Sequence, residues 1–316
     1  MSTTFIQMLQ AAERSGQPII IDGGLGTALE SRGIDLGHEL WSAALLSEAP
    51  DTLAEVHADF IRAGARIVTT ASYQASPLGF ERASITAEDG RRLIAASVEI
   101  AAEASVGVES AGPVLVAGSV GPYGAALGDG AEYTGDYNLS DDDFEAFHRP
   151  RIEALVSAGA DLLAIETQPS LSEVKVLAGL ADEFGVPAWL SVTLSDGRHL
   201  ADGSHLAEVA KVTSASAMVH AIGVNCVRPS LVASSLRALR EHTDLPLIAY
   251  PNSGERYDAT AMQWWAGPDF ETGPEMIAEW TKAGAALIGG CCRTTPDDIA
   301  GLAASAKKLS RTSSPD

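Results

Sequence analysis

Three cysteines are the residues of this chain whose type and placement most directly indicate chemistry. Cys291 and Cys292 are adjacent at the end of the apolar run 287–290, and Cys226 ends a similar run, 222–225. Cysteine thiolate is a preferred zinc ligand, and a catalytic zinc typically keeps three protein ligands and one open position. If both runs are strands that end at one edge of the fold, the three thiols predict a single Zn2+ site per chain.

Core packing is the other interpretation of these cysteines, because free cysteines are often small buried residues. Adjacent residues on a strand face opposite sides, so Cys291 and Cys292 cannot both point into one core. The pair is therefore predicted to follow the end of a strand, where the chain turns. Gly289 and Gly290 would let the backbone approach closely at that point.

Eight short apolar runs are predicted to be the strands that carry these residues. They are rich in Ile, Val, Leu and Ala and do not alternate with polar residues, which is typical of parallel strands buried on both faces. The predicted strands are Pro18–Asp22, Arg66–Ser72, Val114–Ser119, Asp161–Glu166, Ala188–Thr193, Ala221–Cys226, Pro246–Tyr250 and Ala286–Gly290. The predicted helices between them include Glu88–Ala104, Asp142–Ser157 and Leu171–Phe184, and Asp141, Ser170 and Pro296 fall at N-caps or first turns.

One junction, Ala-Gly-Ala, precedes three of these strands, with glycines at 64, 159 and 284. Glycine just past a helix end is a common C-terminal cap, so the repeat indicates one unit used many times. Eight units in 316 residues favour a single (β/α)8 TIM barrel, typically about 250 residues. A doubly wound open sheet is the alternative, but no dinucleotide fingerprint follows the first strand. We expect residues 1–306 to form the barrel domain and 307–316 a disordered tail.

Composition limits the classes of partner. The formal net charge of −21 disfavours nucleic acid and anionic membranes. No signal peptide and no run of about 20 apolar residues is present, so we expect no membrane span. A small, odd number of cysteines indicates free thiols and a reducing compartment, and we expect a cytoplasmic protein. Small-molecule substrates are the expected partners, and the oligomeric state is not indicated.

Two acidic residues directly end predicted strands, and glycines follow one of them. Asp22 and Glu166 could neutralise an ammonium group, and the N–H groups of Gly23 and Gly24 could receive a carboxylate. Together they would hold both ends of a zwitterionic amino acid. The alternatives are a tight turn for the glycines, a helix cap for Asp22 and a salt bridge for Glu166.

A long glycine-containing loop, 121–136, is predicted to be a mobile cover over the site. Several aromatic residues in predicted loops could pack such a lid or face a cation. They are Tyr73, Tyr123, Tyr133, Tyr137, Trp264 and Trp265.

Four motifs resemble those of the homocysteine S-methyltransferase family, and the resemblance covers essentially the whole chain. The motifs are Asp22-Gly23-Gly24-Leu25-Gly26-Thr27, Gly223-Val224-Asn225-Cys226, Tyr250-Pro251-Asn252-Ser253-Gly254-Glu255 and Gly289-Gly290-Cys291-Cys292-Arg293-Thr294. Residues 121–137 are similar to those of the stand-alone bacterial and plant members, which take a methyl group from S-methylmethionine or S-adenosylmethionine. We expect no cobalamin or folate module in this chain of 316 residues.

The resemblance implies zinc-dependent methyl transfer from a sulfonium donor to the thiol of L-homocysteine, forming methionine. Cys226, Cys291 and Cys292 would be the zinc ligands and catalytic centre. Asp22 and Glu166 would hold the substrate's ammonium group, Gly23 and Gly24 its carboxylate, and Asn225 would support the site. Selenocysteine or another thiol is an alternative acceptor. A zinc hydrolase and a non-catalytic zinc- or thiol-binding protein are the alternatives from other classes.

Overall fold

A computed structural model describes residues 2–34, 45–254, 256–258, 263–265 and 274–312. The strands are β1 Ile19–Ile20, β2 Ile67–Thr69, β3 Leu115–Val120, β4 Leu162–Gln168, β5 Ala188–Val192, β6 Val219–Asn225, β7 Leu247–Tyr250, β8 Arg256–Asp258, β9 Gln263–Trp265 and β10 Ala285–Ile288. The helices are α1 Ser2–Ser15, α2 Leu25–Glu30, α3 Leu45–Glu48, α4 Pro50–Ala63, α5 Pro77–Arg82, α6 Ala87–Ala104, α7 Tyr123–Leu127, α8 Ala131–Thr134, α9 Asp141–Ser157, α10 Leu171–Phe184, α11 Leu206–Ala215, α12 Pro229–Arg240, α13 Pro274–Lys282 and α14 Pro296–Thr312.

Eight parallel strands form one barrel. Seven neighbouring pairs run in the order β1-β10-β7-β6-β5-β4-β3-β2. A parallel bridge between Ile21 and Ile67 joins the first and last strands of this order, so the sheet closes on itself. The predicted (β/α)8 barrel is confirmed, and the open doubly wound sheet is wrong. Strands β8 and β9 form a separate antiparallel pair after β7, which includes the backbone of Trp264 and Trp265.

The hydrophobic core has two layers because consecutive strand residues point to opposite faces. In β4, Leu162 and Ala164 point into the barrel, while Leu163 and Ile165 pack against the outer helices. Helix α1 contributes Phe5 to the inner layer and packs there against residues at the starts of strands. The amino-terminal end of the barrel is thereby covered, and the carboxyl ends of the strands remain for a site.

The Ala-Gly-Ala junctions act as predicted. Gly64, Gly159 and Gly284 have φ values of 113°, 93° and 106°, the left-handed region that glycine adopts without a steric penalty. Each glycine ends a helix and leads the chain back into a strand. The predicted strands and helices all occur, with ends that differ by a few residues.

The C-terminal boundary differs from the prediction. Residues 307–312 were expected to be disordered, but helix α14 continues through them to Thr312. Leu309 packs against the outer core layer, so an apolar contact extends the helix beyond the domain end placed at residue 306. The remaining four residues of the predicted tail lie outside the described part of the chain. Among the residues that the structure describes, none of the helices combines the length and apolar character that a membrane span requires.

His57 is an unusual member of the outer core layer. It lies on α4 with no exposed surface, and neither ring nitrogen has a hydrogen-bond partner among the described residues. Burial lowers the pKa of His57 from 6.5 to about 4. The histidine is therefore neutral in the folded protein at pH values where the unfolded chain already binds a proton.

This depressed pKa makes folding stability depend on pH. Below about pH 6.5 the unfolded state binds a proton at His57 that the folded state does not, so stability is lost as pH falls towards 4. The expected loss between pH 7.5 and pH 5 from this group is about 2 kcal/mol. Urea unfolding of the protein and of His57→Leu at both pH values would test this. An equal loss of stability in both proteins would contradict the assignment.

Candidate metal centre

The three cysteine sulfurs meet at the carboxyl end of the barrel. Their Sγ atoms all lie within 4.8 Å of one another, and they form the one group of metal-capable side chains found among the described residues. Cys226 Sγ lies 3.2 Å from that of Cys291 and 3.6 Å from that of Cys292. Sulfur atoms at tetrahedral positions around zinc, at about 2.3 Å each, are about 3.8 Å apart. The spacing therefore suits a single small metal ion.

Backbone hydrogen bonds from the segment after β7 hold both cysteine loops. Cys291 N–H donates to the Pro251 carbonyl at 2.8 Å, and Ser253 N–H donates to the Cys292 carbonyl at 3.1 Å. Asn252 N–H donates to the carbonyl of Val227, the residue after Cys226. The segment 251–253 thus connects the strand end that carries one cysteine with the strand end that carries two.

The motif after β1 supports the vicinal pair from its other side. Arg293 N–H donates to Thr27 Oγ1 at 2.9 Å, and Thr294 Oγ1 donates to the Cys291 carbonyl at 2.7 Å. Gly290 N–H donates to the Asp22 carbonyl at 3.1 Å. These bonds turn the chain at Cys291 and Cys292 just beyond the end of β10, as the sequence predicted.

Left-handed backbone is concentrated at this rim. Four non-glycine residues have positive φ among the residues that the structure describes. Three of them lie at the rim: Thr167, Cys226 and Arg293. Such conformations persist only where surrounding contacts impose them. For Thr167, Asn225 supplies the contacts: its Oδ1 accepts from Thr167 N–H at 2.7 Å, and its Nδ2 donates to Thr167 Oγ1 at 2.7 Å. Asn225 is fully buried and fixes the neighbouring strand end.

Glycines in three of the motifs permit close packing of strand ends. A Cβ on Gly289 would lie 2.3 Å from Ile21 Cγ1, and one on Gly24 would lie 2.6 Å from the Cys291 carbonyl oxygen. A Cβ on Gly223 would lie 1.8 Å from the Ile248 carbonyl oxygen. Larger residues at these positions would push apart the strands that carry the thiols.

The three thiols cannot all ionise together unless a cation balances their charge. Hydrogen bonds from Cys226 and Cys291 hold the pKa of the Cys292 thiol well below its usual value. The hydrogen bond with Cys226 holds the pKa of the Cys291 thiol well above it. The thiols thus share the first negative charge and resist further ionisation. A divalent cation would remove this repulsion, because metal binding releases protons from its ligands.

Asp22 and Glu166 lie near each other at the same rim, and both are almost fully buried. Asp22 accepts hydrogen bonds from Thr69 N–H at 2.7 Å and Thr69 Oγ1 at 3.0 Å, and Glu166 accepts one from Ser119 Oγ at 2.5 Å. Burial raises the pKa of Asp22 to about 8, with a contribution from the nearby Glu166, and burial raises the pKa of Glu166 to about 7. Two such carboxyls suit a ligand that brings positive charge.

The two glycines after Asp22 differ from the prediction in one respect. The Gly24 N–H, expected to receive a carboxylate, already donates to the carbonyl and hydroxyl oxygens of Thr294, at 3.1 and 3.0 Å. Gly24 therefore supports the cysteine loop. A Cβ on Gly23 would lie 2.9 Å from both Phe60 and Thr294, so this glycine is also required for packing.

The segment 121–137 covers the thiols as a partly helical lid. It contains α7 and α8, and Tyr133 in α8 places its hydroxyl 3.5 Å from Cys226 Sγ. The aromatic residues expected in loops are therefore partly in regular structure. Tyr123 and Tyr137 pack together, with ring centroids 5.4 Å apart.

One buried carboxylate holds both ends of the lid. Glu173, fully buried on α10, accepts hydrogen bonds from Tyr123 N–H at 2.6 Å and Tyr137 O–H at 2.6 Å. Its Oε1 also lies 2.8 Å from His148 Nε2. Arg151 lies nearby and donates to the carbonyl of Gly121, the first residue of the lid. The lid is therefore connected at both ends to the helices behind it.

Sequence reasoning had not selected Glu173 or Thr294. Glu173 is at the third position of a helix, where an acidic residue ordinarily indicates helix capping. Thr294 belongs to one of the four motifs, but the sequence does not indicate that its hydroxyl accepts a hydrogen bond from the backbone of Gly24.

Comparison with known proteins identifies the family. The family model described as homocysteine S-methyltransferase matches residues 19–306. The chain belongs to the homocysteine S-methyltransferase family. The resemblance inferred from the four motifs is therefore confirmed. Homocysteine S-methyltransferase of Escherichia coli is 48% identical over 292 residues, covering 90% of this chain and 94% of that protein.

A solved structure and a second relative extend the comparison. The metallated form of the Escherichia coli homocysteine methyltransferase MmuM has a TM-score of 0.84 and 44% identity, covering 94% of this chain and 99% of that one. Selenocysteine methyltransferase of Astragalus bisulcatus is 38% identical, covering 92% of each chain.

Removing the lid anchor should loosen the lid selectively. In Glu173→Ala, the lid groups Tyr123 N–H and Tyr137 O–H lose their acceptor, so lid opening should become easier by about 3 kcal/mol, more than 100-fold. Hydrogen exchange measured by mass spectrometry on residues 121–137 would test this, with β4 as the internal reference.

Tyr137→Phe is the matched control for that experiment. It removes one of the hydrogen bonds, so we expect a loss of about 1 kcal/mol and roughly fivefold faster exchange in the lid. Uniformly faster exchange in the lid and β4 would indicate a general loss of stability and contradict the anchoring role.

Proposed function

We propose that the protein transfers a methyl group from a sulfonium donor, S-methylmethionine or S-adenosylmethionine, to the thiol of L-homocysteine, with one zinc ion per chain. The observation that carries the proposal is the convergence of Cys226, Cys291 and Cys292 at the mouth of a barrel whose family is established. The two buried carboxyls beside them, Asp22 and Glu166, suit an amino-acid substrate.

The three cysteines would hold the zinc ion. Zinc, when bound there, would lower the pKa of an acceptor thiol so that the thiol is ionised at neutral pH. Three thiolates around a divalent ion leave a net negative charge. An acceptor sulfur beside them therefore keeps much of its electron density for attack on carbon.

The strand-end carboxyls would orient the acceptor. Homocysteine carries an ammonium group, and Asp22 and Glu166 are the buried acidic groups at the rim that can receive it. Ser119 and Thr69 fix the two carboxylates by hydrogen bonds, so little reorientation is needed on binding. Holding both reactants in line is a large part of what such a site contributes to rate.

The transfer itself needs no proton from the protein. The acceptor sulfur forms a bond to the methyl carbon while the bond from that carbon to the sulfonium sulfur breaks. The bonding pair returns to the donor sulfur, which leaves as a neutral thioether. The lid, through Tyr133 and its neighbours, would exclude water during this step.

Selenocysteine is a second candidate acceptor, because a selenocysteine methyltransferase is among the relatives. A selenolate would be oriented by the same carboxyls. The zinc hydrolase proposed as an alternative has less support, because hydrolytic zinc sites usually include histidine or carboxylate ligands. The group of metal-capable side chains found in the described residues is made of cysteines.

Loss of one thiol tests the metal and the reaction together. We expect Cys291→Ala to lose its zinc and more than about 1,000-fold of its activity, because the acceptor thiol is no longer activated. Zinc content and methionine formation would be measured with S-methylmethionine, S-adenosylmethionine and betaine supplied separately. Tyr133→Phe, which removes a hydroxyl near Cys226 without removing a ligand, should keep its zinc. Bound zinc without turnover on any donor would exclude the proposed methyl transfer.

The raised pKa values of the rim carboxyls predict a pH dependence for the acceptor. At pH values below about 7 to 8 both groups hold a proton in the free protein, so an ammonium group binds more weakly as pH falls. The value of kcat/KM for homocysteine should therefore rise with pH, below pH 7 about tenfold per unit for each of the two carboxyls that must be ionised.

The acceptor's own thiol also loses a proton as pH rises. A variant distinguishes its titration from that of the rim carboxyls. Thr69→Val removes a hydroxyl that donates to Asp22, so the pKa of Asp22 should rise by about half to one unit. The rising limb of the pH profile should move up by the same amount. A limb at the same pH in both proteins would show that Asp22 does not control it.

A further inference from the structure

Glu132 is a partly buried acidic residue on the lid, and one of its two carboxylate oxygens lacks a partner. Its Oε2 atom is inaccessible to solvent and makes no hydrogen bond within the described part of the chain. Burying a charged group is costly unless a partner compensates it. The hydrogen bonds that hold both ends of the lid are made by Glu173.

The surroundings of Glu132 are those of the thiol centre. Its neighbour Tyr133 reaches Cys226, and the charge of Glu132 acts on Cys292 and on Tyr73. Burial raises the pKa of Glu132 to about 7, and the negative charge of Cys226 adds to the effect. Glu132 therefore lies close enough to the thiol centre for its charge to be felt there, in an environment of like charge.

A second unpartnered acceptor lies beneath the same lid. Gln74 donates its Nε2 to the Ala125 carbonyl in α7 at 3.3 Å, while its Oε1 is buried without a partner. The lid region therefore offers two buried acceptor oxygens. Acceptors without donors suit a ligand that carries positive charge.

The acceptor amino acid is not the ligand that best fits this position. Asp22 and Glu166 are at the ends of β1 and β4, where the charge of one raises the pKa of the other. This pair of acidic groups suits the ammonium group of homocysteine. Glu132 belongs to the lid, a different element, and is an additional acidic group. The second reactant of the proposed reaction is a cation and must reach the acceptor sulfur.

We propose that Glu132 binds the positive charge of the methyl donor and makes the site selective for a sulfonium over the neutral thioether that it becomes. This inference rests on the proposed function. When the methyl group leaves, the bonding pair returns to the donor sulfur and its charge is lost. The carboxylate then loses its electrostatic partner, which favours release of the product.

The donor has two positive groups, a sulfonium and an α-ammonium. Two test compounds, each with only one of these groups, show which of them Glu132 recognises. Dimethylsulfoniopropionate has the sulfonium without the ammonium. The compound 2-amino-5-methylhexanoate has the ammonium but carbon in place of the charged sulfur. Binding of each to the zinc-loaded protein in the presence of homocysteine, measured by calorimetry, shows which charge Glu132 recognises.

The test compares Glu132→Gln with the unchanged protein. We expect the dissociation constant and KM for S-methylmethionine to rise about tenfold or more, because the carboxylate charge is removed at nearly constant shape. Zinc content and KM for homocysteine should stay within about twofold. Asp136→Asn removes the same charge from an exposed position of the lid and should leave the donor constants unchanged.

A further variant distinguishes loss of the charge from a folding defect. Glu132→Asp keeps the charge on a shorter side chain and should give donor constants between those of the unchanged protein and Glu132→Gln. Unchanged donor binding in Glu132→Gln, or a rise in the homocysteine KM instead, would overturn the assignment. Absence of turnover with every donor in the unchanged protein would contradict the proposed function, while the binding comparison would still decide the role of Glu132.

Discussion

The repulsion between three thiolates is the physical constraint on which the rest of the structure depends. The three sulfur atoms lie within 4.8 Å of one another, and they cannot all carry charge without a cation between them. The structure holds them there by bringing the ends of β6 and β10 together through the segment after β7. Paired glycines allow the approach, and left-handed backbone at Cys226 turns the thiol towards the other two.

The same centre is surrounded by acidic residues that are buried or partly buried. Asp22, Glu166 and Glu132 each come from a different element and each resists ionisation because of burial. The buried cation of this region, Arg151, donates to backbone carbonyls at the start of the lid and after β2. The cavity is thus matched to ligands that bring positive charge: a metal ion, an ammonium group and a sulfonium. The net charge of −21 extends this preference to the approach of such ligands.

Much of the fold could be predicted because buried parallel strands leave a direct signal in the sequence. Apolar runs without alternation marked all eight barrel strands, and the acidic residues and cysteines that end four of them marked the rim. The vicinal pair Cys291-Cys292 could be placed beyond a strand because two adjacent side chains cannot share one face. The cluster of three thiols followed from these two arguments together.

Interactions between distant segments could not be predicted in this way. Glu173 holds the lid from a helix position that ordinarily indicates capping, and its partners at Tyr123 and Tyr137 are 50 and 36 residues away. The Gly24 N–H seemed available to a ligand, yet Thr294, 270 residues later, accepts its bond. The polar C-terminal segment indicated disorder, whereas contacts such as that of Leu309 keep it helical to Thr312.

The position of β10 in the chain affects how the centre is assembled during synthesis. This strand pairs with β1 on one side and β7 on the other, and it is the last of the eight to leave the ribosome. Cys291 follows Cys226 by 65 residues, so the first thiol emerges well before its companions. Completion of the barrel and assembly of the ligand set therefore coincide. A nascent chain cannot offer the full metal site until its tertiary fold is essentially complete.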